Sequence, residues 1–267
     1  GGLVYMDHLV RSGENVAGVI SATRGNHGQS IALAARKAGI RAVIYVPEGN
    51  SVEKNAAMQA FGAELVVHGR DFDEAAAACK IAAVEQGLHM VPSFDPLLIK
   101  GVATYSLEFF RQAPALEVVY VPIGMGSGIC GMIAARDALD LKTEIVGVVA
   151  DGAPAVALSF EAGHPVPTNE ARTFADGMAC REPHPGALDI IRRGAARVVR
   201  VSDDEIASAM RAYYEDTHNL AEGAGAAPLA ALLAEKSDLQ GRTAGVVLSG
   251  GNIDRSAYAT VLAGGTP

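Results

Sequence analysis

The fold prediction starts from residues 16–47, VAGVISATRGNHGQSIALAARKAGIRAVIYVP. The apolar run VAGVI (16–20) predicts a strand, the alanine-rich segment 28–38 predicts a helix, and RAVIYVP (41–47) predicts a second strand. A strand, a helix and a strand in this order form a βαβ unit with two parallel strands. The polar loop SATRGNHGQS (21–30) follows the first strand, and ligands of α/β sheets bind beyond the carboxyl ends of strands.

The same alternation continues along the chain. Helices are expected near 52–61 and 73–86, and Ser202 with Glu205 forms a capping-box pattern that predicts another helix start. The strand segments are continuously apolar, as expected for parallel sheets covered by helices on both faces. Residues 152–195, rich in Gly, Pro and His, are expected to form a long surface excursion. The other predicted strands are 63–69, 89–93, 117–124, 143–150, 196–202 and 243–251.

Composition excludes several classes of protein. The 267 residues are 49% hydrophobic, enough for a sizeable core, and carry a net charge of −8. This acidic balance argues against nucleic-acid and anionic-membrane partners. Cys79, Cys130 and Cys180 are far apart and odd in number, so neither a disulfide framework nor a zinc site is expected.

Three loops after predicted strands carry the chemistry. GMGSGICG (124–131) is typical of a phosphate cradle, in which glycines let backbone N–H groups approach an anion. It also matches the dinucleotide pattern GxGxxG, with Asp151 twenty residues after Gly131, so a nicotinamide enzyme is the rival interpretation. In LSGGN (248–252), Ser249 is either a partner for a ring nitrogen or part of an ordinary turn. The loop 21–30 is either a carboxylate-binding loop or a capped turn with a solvated Arg24.

The order of the loops along the chain is more specific than any one of them. TRGNHGQ, the glycine cradle, ADG, AEGAGAA (221–227) and LSGGN together resemble the fold-type II pyridoxal-phosphate (PLP) enzymes, above all serine/threonine dehydratases and serine racemase. The resemblance implies two α/β domains of parallel sheets flanked by helices, as in the tryptophan synthase beta-like fold. Residues 17–92 are expected to form a small mobile domain, and 1–16 with 93–267 the large cofactor-binding domain.

The resemblance also implies roles for residues at matching positions. The cofactor is expected to be pyridoxal 5′-phosphate, with its ring hydroxyl bonded by Asn26 and its pyridine nitrogen facing Ser249. Thr23, Asn26 and His27 are expected to line the substrate carboxylate, and Glu222 matches a family glutamate near the cofactor. The residues expected to hold the phosphate are Gly124, Met125, Gly126, Ser127 and Gly128.

This sequence departs from the family pattern at three places. The Schiff-base lysine of the family is expected three residues upstream of Gly1, so no catalytic residue is assigned within 1–267. The glutamate and aspartate of the family's cation site are replaced by Val149 and Ala155, so no metal is expected there. Arg24 stands where racemases of the family have a proton-exchanging serine, and a guanidinium is a poor proton shuttle.

The sequence therefore predicts a PLP-dependent ammonia-lyase that acts on a small β-hydroxy amino acid such as threonine or serine. We expect a cytoplasmic homodimer with no nucleic-acid or membrane partner. The alternatives are a racemase or β-replacement enzyme of the same fold, a dinucleotide-binding oxidoreductase, and a cofactor-binding domain without activity.

Overall fold

A computed structural model describes residues 1–14, 16–113 and 115–267. The chain divides into two compact units, Gly1–Gly101 and Val102–Pro267. No helix within the described ranges has the length and hydrophobicity that crossing a membrane requires.

The first unit is a parallel four-stranded sheet with helices on both faces. The strand order is β3-β2-β1-β4, and β1 pairs with β2 in the register Val19 to Ala42. The three helices that lie between strands connect parallel strands, as the βαβ pattern predicts. The elements are α1 (Gly2–Arg11), β1 (Val19–Ala22), α2 (Asn26–Ala38), β2 (Ala42–Val46), α3 (Val52–Ala60), β3 (Glu64–Val67), α4 (Phe72–Glu85) and β4 (His89–Met90).

Alternate residues of β1 and β2 pack into separate cores on the two faces of this sheet. Val19 and Ile44 belong to the core that includes Ile31 of α2, whereas Ile20 belongs to the core that includes Cys79 of α4. Every residue of β1 and β2 is buried. The continuous apolar runs in the sequence are explained by this burial on both faces.

The second unit contains another parallel four-stranded sheet, with strand order β7-β6-β5-β8. Its main core joins Val118 and Val146 of the sheet to Ile206, Met210 and Ala227 of two helices. The division between the units falls within α5 (Pro96–Gln112). The remaining elements are β5 (Val118–Pro122), α6 (Ser127–Ala138), β6 (Glu144–Ala150), α7 (Ala155–Ala162), α8 (Pro185–Gly194), β7 (Arg197–Val201), α9 (Asp203–Thr217), α10 (Gly223–Ala234), β8 (Ala244–Val246) and α11 (Arg255–Leu262).

A partly buried polar network links three strands of this sheet to the end of α10. Arg197 donates to Glu235 at 2.5 Å, and Tyr120 donates to the same carboxylate. Glu144 accepts from Arg197 at 3.5 Å and from Arg242 at 3.0 Å. Burial raises the pKa of the Tyr120 hydroxyl to about 12, and its hydrogen bond to Glu235 acts in the same direction. We call this group the Arg197–Glu235 network.

The predicted fold class is confirmed, with two parallel sheets flanked by helices. All eight predicted strands are present, although β4 and β8 are shorter than predicted. The capping box of Ser202 and Glu205 is also present at the start of α9. The prediction for residues 152–195 was wrong, because this segment contains α7 and α8 and buries Met178 and Ile191. The boundaries 17–92, and 1–16 with 93–267, stay a prediction of the domain division.

Candidate active site

The polar loop after β1 is organised by Thr23. Its Oγ1 accepts hydrogen bonds from the backbone N–H groups of Gly25 at 2.9 Å and Gly28 at 3.1 Å. Gly25 occupies the N-cap position of α2 but has no side chain, so Thr23 supplies the capping oxygen in its place. The backbone N–H groups of Arg24 and His27 have no acceptor among the described residues. The amino end of α2 thus offers free donors to an anion.

The His27 ring is turned toward the sheet. Ser21 Oγ lies 2.8 Å from the carbonyl oxygen of Val91 and 3.0 Å from Nε2 of His27. A hydroxyl has one hydrogen and a carbonyl can only accept, so Ser21 donates to Val91. Nε2 of His27 must then carry the hydrogen that Ser21 accepts. Burial, followed by the positive charge of the amino terminus, lowers the pKa of His27 to about 4, so the ring is neutral at pH 7.

Two basic residues lie at the same loop. Arg24 is partly buried, and its Nε has no hydrogen-bond partner in the described chain. Lys54 of α3 is only 4% exposed, and its side chain lies against Gly25 so closely that a β-carbon there would overlap its Cδ. Nothing in the sequence pattern indicated this contact, because it depends on the packing of α3 beside the loop. Asn26, the first residue of α2, is exposed.

The loop between β5 and α6 is shaped as a backbone cradle. Gly126 adopts a φ of 95°, a left-handed conformation that favours glycine. Within the described residues, the backbone N–H groups of Met125, Gly126, Ser127 and Gly128 have no hydrogen-bond acceptor. Four unpaired donors at the start of a helix, beside the positive end of its dipole, suit a phosphate.

The other glycine-rich loops of the second unit pack around this cradle. A β-carbon on Gly124 would overlap the carbonyl oxygen of Gly177, and one on Gly177 would lie 3.1 Å from Cβ of Ala224. A β-carbon on Gly225 would lie 2.5 Å from the carbonyl oxygen of Gly250. The ADG turn (175–177) is by its sequence alone only weak evidence for a functional loop. In the structure it packs against Gly124, at the start of the cradle.

Two predicted site residues lie on these packed loops. Glu222 is 2% exposed, and its backbone N–H donates to the carbonyl oxygen of Gly250 at 3.0 Å. Ser249 is exposed, and its hydroxyl makes no hydrogen bond within the part of the chain that the structure describes. Each unit thus carries part of the predicted site. Thr23, Arg24, Asn26 and His27 lie on the first unit, and 124–128, Glu222 and Ser249 on the second.

The residues of the second unit fit the predicted cofactor. The cradle supplies free N–H donors for a phosphate, and Ser249 presents a free hydroxyl. The glycines of the surrounding loops let their backbones pack closely together beside the cradle. No group of three or more His, Cys, Asp or Glu side chains suited to a metal occurs in the described ranges. A parallel α/β fold with a backbone cradle and a free serine hydroxyl is compatible with the fold-type II PLP enzymes that the sequence resembles.

Comparison with known proteins gives the same class. The family model described as "Pyridoxal-phosphate dependent enzyme" matches residues 2–250. The chain therefore belongs to the pyridoxal-phosphate-dependent enzyme family, and the predicted cofactor is confirmed at the level of the family. The family match favours the phosphate cradle over the dinucleotide interpretation of GMGSGICG.

Several relatives are similar over most of the chain. The L-threonine ammonia-lyase of Geobacter sulfurreducens is 40% identical over 92% of this chain. This alignment covers 61% of the relative, so the chain spans about three fifths of its length. The processed form of threonine deaminase isoform 2 from Solanum lycopersicum superposes with a TM-score of 0.88 at 30% identity, covering 98% of this chain and 78% of that one. A PLP-dependent aspartate racemase superposes with a TM-score of 0.89 at 25% identity, covering 96% and 80%.

Proposed function

We propose that the protein is a PLP-dependent ammonia-lyase that converts threonine or serine to a 2-oxo acid and ammonia. The relatives named threonine ammonia-lyase and threonine deaminase support this proposal. The observation that carries the reaction class is the free, exposed hydroxyl of Ser249. A neutral partner at the pyridine nitrogen does not enforce protonation of the ring, and this suits elimination of a β-substituent.

One set of residues would hold the cofactor, and another set orients the substrate. When bound, PLP supplies a ring that withdraws electrons from the substrate α-carbon. The N–H groups of 125–128 would hold its phosphate, and the resemblance assigns the ring nitrogen to Ser249 and the ring hydroxyl to Asn26. Glu222, the residue before α10, would lie near the cofactor by the same resemblance.

The first turn of α2 orients the substrate carboxylate. Its donors are the backbone N–H groups of Arg24, just before the helix, and of His27, which have no acceptor in the described chain. The neighbouring N–H groups of Gly25 and Gly28 are already bound by Thr23 Oγ1. The imidazole of His27 is a neutral group bonded to Ser21, so it fixes the loop and does not move the α-proton. The sequence-based expectation assigns that proton to a lysine before Gly1.

The test is product formation by the full-length protein loaded with PLP. L-threonine should give 2-oxobutanoate and ammonia in equal amounts, and L-serine should give pyruvate and ammonia. Formation of D-serine without pyruvate would show a racemase, and turnover only with an added thiol would show β-replacement. The lyase proposal fails if neither amino acid releases ammonia while the protein retains bound PLP.

We also propose a homodimer that works in the cytoplasm, with residues 17–92 as a small domain that moves on substrate binding. Light scattering should give twice the mass of one chain. Limited proteolysis should become slower in this region when substrate is present.

A further inference from the structure

Within residues 1–14 and 16–101, three buried side-chain atoms have no hydrogen-bond partner. They are Nε of Arg24, Nε2 of Gln29 and Oδ1 of Asn50. Arg24 follows β1, Asn50 follows β2, and Gln29 lies in the first turn of α2. Buried polar atoms nearly always have partners in folded proteins. Since β1 and β2 are paired parallel strands, Arg24 and Asn50 lie on loops at the edge of the sheet where ligands bind, and their unpartnered atoms indicate a ligand with polar groups.

Arg24 is the charged residue among the three. It makes no ion pair or hydrogen bond with any described residue, although it is partly buried. A buried donor without an acceptor is unfavourable. An anion that is not part of the described chain would supply the acceptor that Nε of Arg24 lacks.

The surroundings of Arg24 favour an anion further. The buried side chain of Lys54 lies against Gly25, next to Arg24, so a second basic residue borders the loop. The free N–H groups of Arg24 and His27 add donors at the positive end of α2. In a chain with net charge −8, this loop is a local concentration of positive groups.

We propose that Arg24 binds a carboxylate of the substrate and so determines which β-hydroxy amino acids the enzyme accepts. The inference rests on the proposed function, because it names the substrate group that this loop recognises. The carboxylate is a second one on the substrate side chain, as in 3-hydroxyaspartate, because the α-carboxylate is common to every amino acid and cannot decide which of them are accepted. The backbone donors of the loop already serve one carboxylate, which leaves the planar guanidinium for a bidentate bond to another.

The experiment measures binding separately from turnover. L-aspartate and L-2-aminobutyrate lack the β-hydroxyl that would leave, so they serve as an acidic and a neutral probe. Calorimetry on the full-length, PLP-loaded protein gives both dissociation constants for wild type and for Arg24→Gln. We expect Arg24→Gln to weaken binding of L-aspartate by about 10- to 100-fold, the usual effect of losing a hydrogen bond between charged groups, and to leave binding of L-2-aminobutyrate unchanged.

Arg36→Gln is the matched control. Arg36 is exposed near the end of α2 and donates to the carbonyl oxygen of Ala60 at 3.3 Å, so this change removes an equal charge away from the loop. A loss confined to L-aspartate in Arg24→Gln supports the proposal. A loss of equal size for both probes would place Arg24 at the α-carboxylate and overturn it. Dissociation constants within about twofold of the Arg36→Gln control for both probes would overturn it.

Folding and function are controlled separately. Arg24 has no internal partner, so Arg24→Gln should melt at the wild-type temperature. Arg24→Lys keeps the charge but loses the fork of donors, and should bind with intermediate affinity. If wild type releases no ammonia from threonine or serine but binds a probe through Arg24, only the proposed reaction fails. If wild type converts threonine and Arg24→Gln binds both probes normally, only the present inference fails.

Discussion

The neutral His27 ring should make the protein lose stability in mildly acidic solution. The unfolded chain has a histidine pKa of about 6.5, whereas burial lowers the folded pKa to about 4. Above pH 6.5 both states are neutral, and the ring contributes its full share of stability. As the pH falls from 6.5 to 4, the unfolded state takes up a proton that the folded state excludes. Stability is therefore lost over this window and levels off below it.

The magnitude follows from the size of the shift. Each pH unit within the window lowers the free energy of unfolding by about 1.4 kcal/mol, so the fall from pH 6.5 to 5 amounts to about 2 kcal/mol. Other groups also titrate here, so the measured quantity is the difference between wild type and His27→Gln. Glutamine cannot take up this proton, but its amide can still donate to Ser21.

Urea unfolding followed by circular dichroism at pH 7.5, 6.5, 5.5 and 5 gives the difference directly. The stability advantage of wild type over His27→Gln should shrink by about 2 kcal/mol between pH 6.5 and 5. The control is His8→Gln, which makes the same substitution at a histidine that is exposed on α1. An advantage that stays constant to within about 0.5 kcal/mol over this range would refute the argument, since ordinary surface effects are of that size.

Three further changes test the cradle, the ring contact and the polar network. Gly126→Val places a β-carbon 2.9 Å from Ala187 and blocks the cradle, so the dissociation constant for PLP measured by absorbance should rise at least about tenfold. Gly39→Val, with φ 69° and open space around it, imposes similar strain and should leave PLP binding unchanged. Ser249→Ala should alter the cofactor spectrum and slow turnover, with the free energy of unfolding unchanged to within about 0.5 kcal/mol. A native spectrum and rate would make Ser249 a turn residue. Glu235→Gln removes the charge from the Arg197–Glu235 network and should lower the free energy of unfolding by about 1–3 kcal/mol in urea melts. A smaller effect would show that the network contributes little.

The sequence predicted the strands, and the positions of the glycine-rich and polar loops after them, because both depend on local pattern. Apolar runs of strand length reveal buried parallel strands, and glycine clusters after them reveal sites where the backbone approaches a ligand. The sequence pattern could not predict that GMGSGICG packs against Gly177. This contact joins residues 53 positions apart in the chain, and only the tertiary fold brings them together.

The failures have equally physical causes. Residues 152–195 were predicted to be irregular because their Gly and Pro residues suggested a loop. Pro185 instead begins α8, at the first helical position where proline is favoured, and Gly163 ends α7 in the left-handed conformation. The sequence also did not predict that Lys54 lies against Gly25. This contact depends on how α3 packs beside the loop, which the periodicity of the sequence does not express.

In the proposed function, the two anion-binding loops divide affinity and selectivity between backbone and side chain. Both lie between a parallel strand and a helix, and both present unpaired N–H groups at the positive end of that helix. Such donors bind a phosphate or a carboxylate firmly, but they respond only to charge and shape at one end of the ligand. The cradle at 124–128 needs nothing more, because its ligand is constant. The loop after β1 must distinguish one amino acid from another, and backbone donors common to every α-carboxylate cannot do this. Discrimination there falls to a side chain, and the unpaired guanidinium of Arg24 is the group on that loop with the charge and the free donors to perform it.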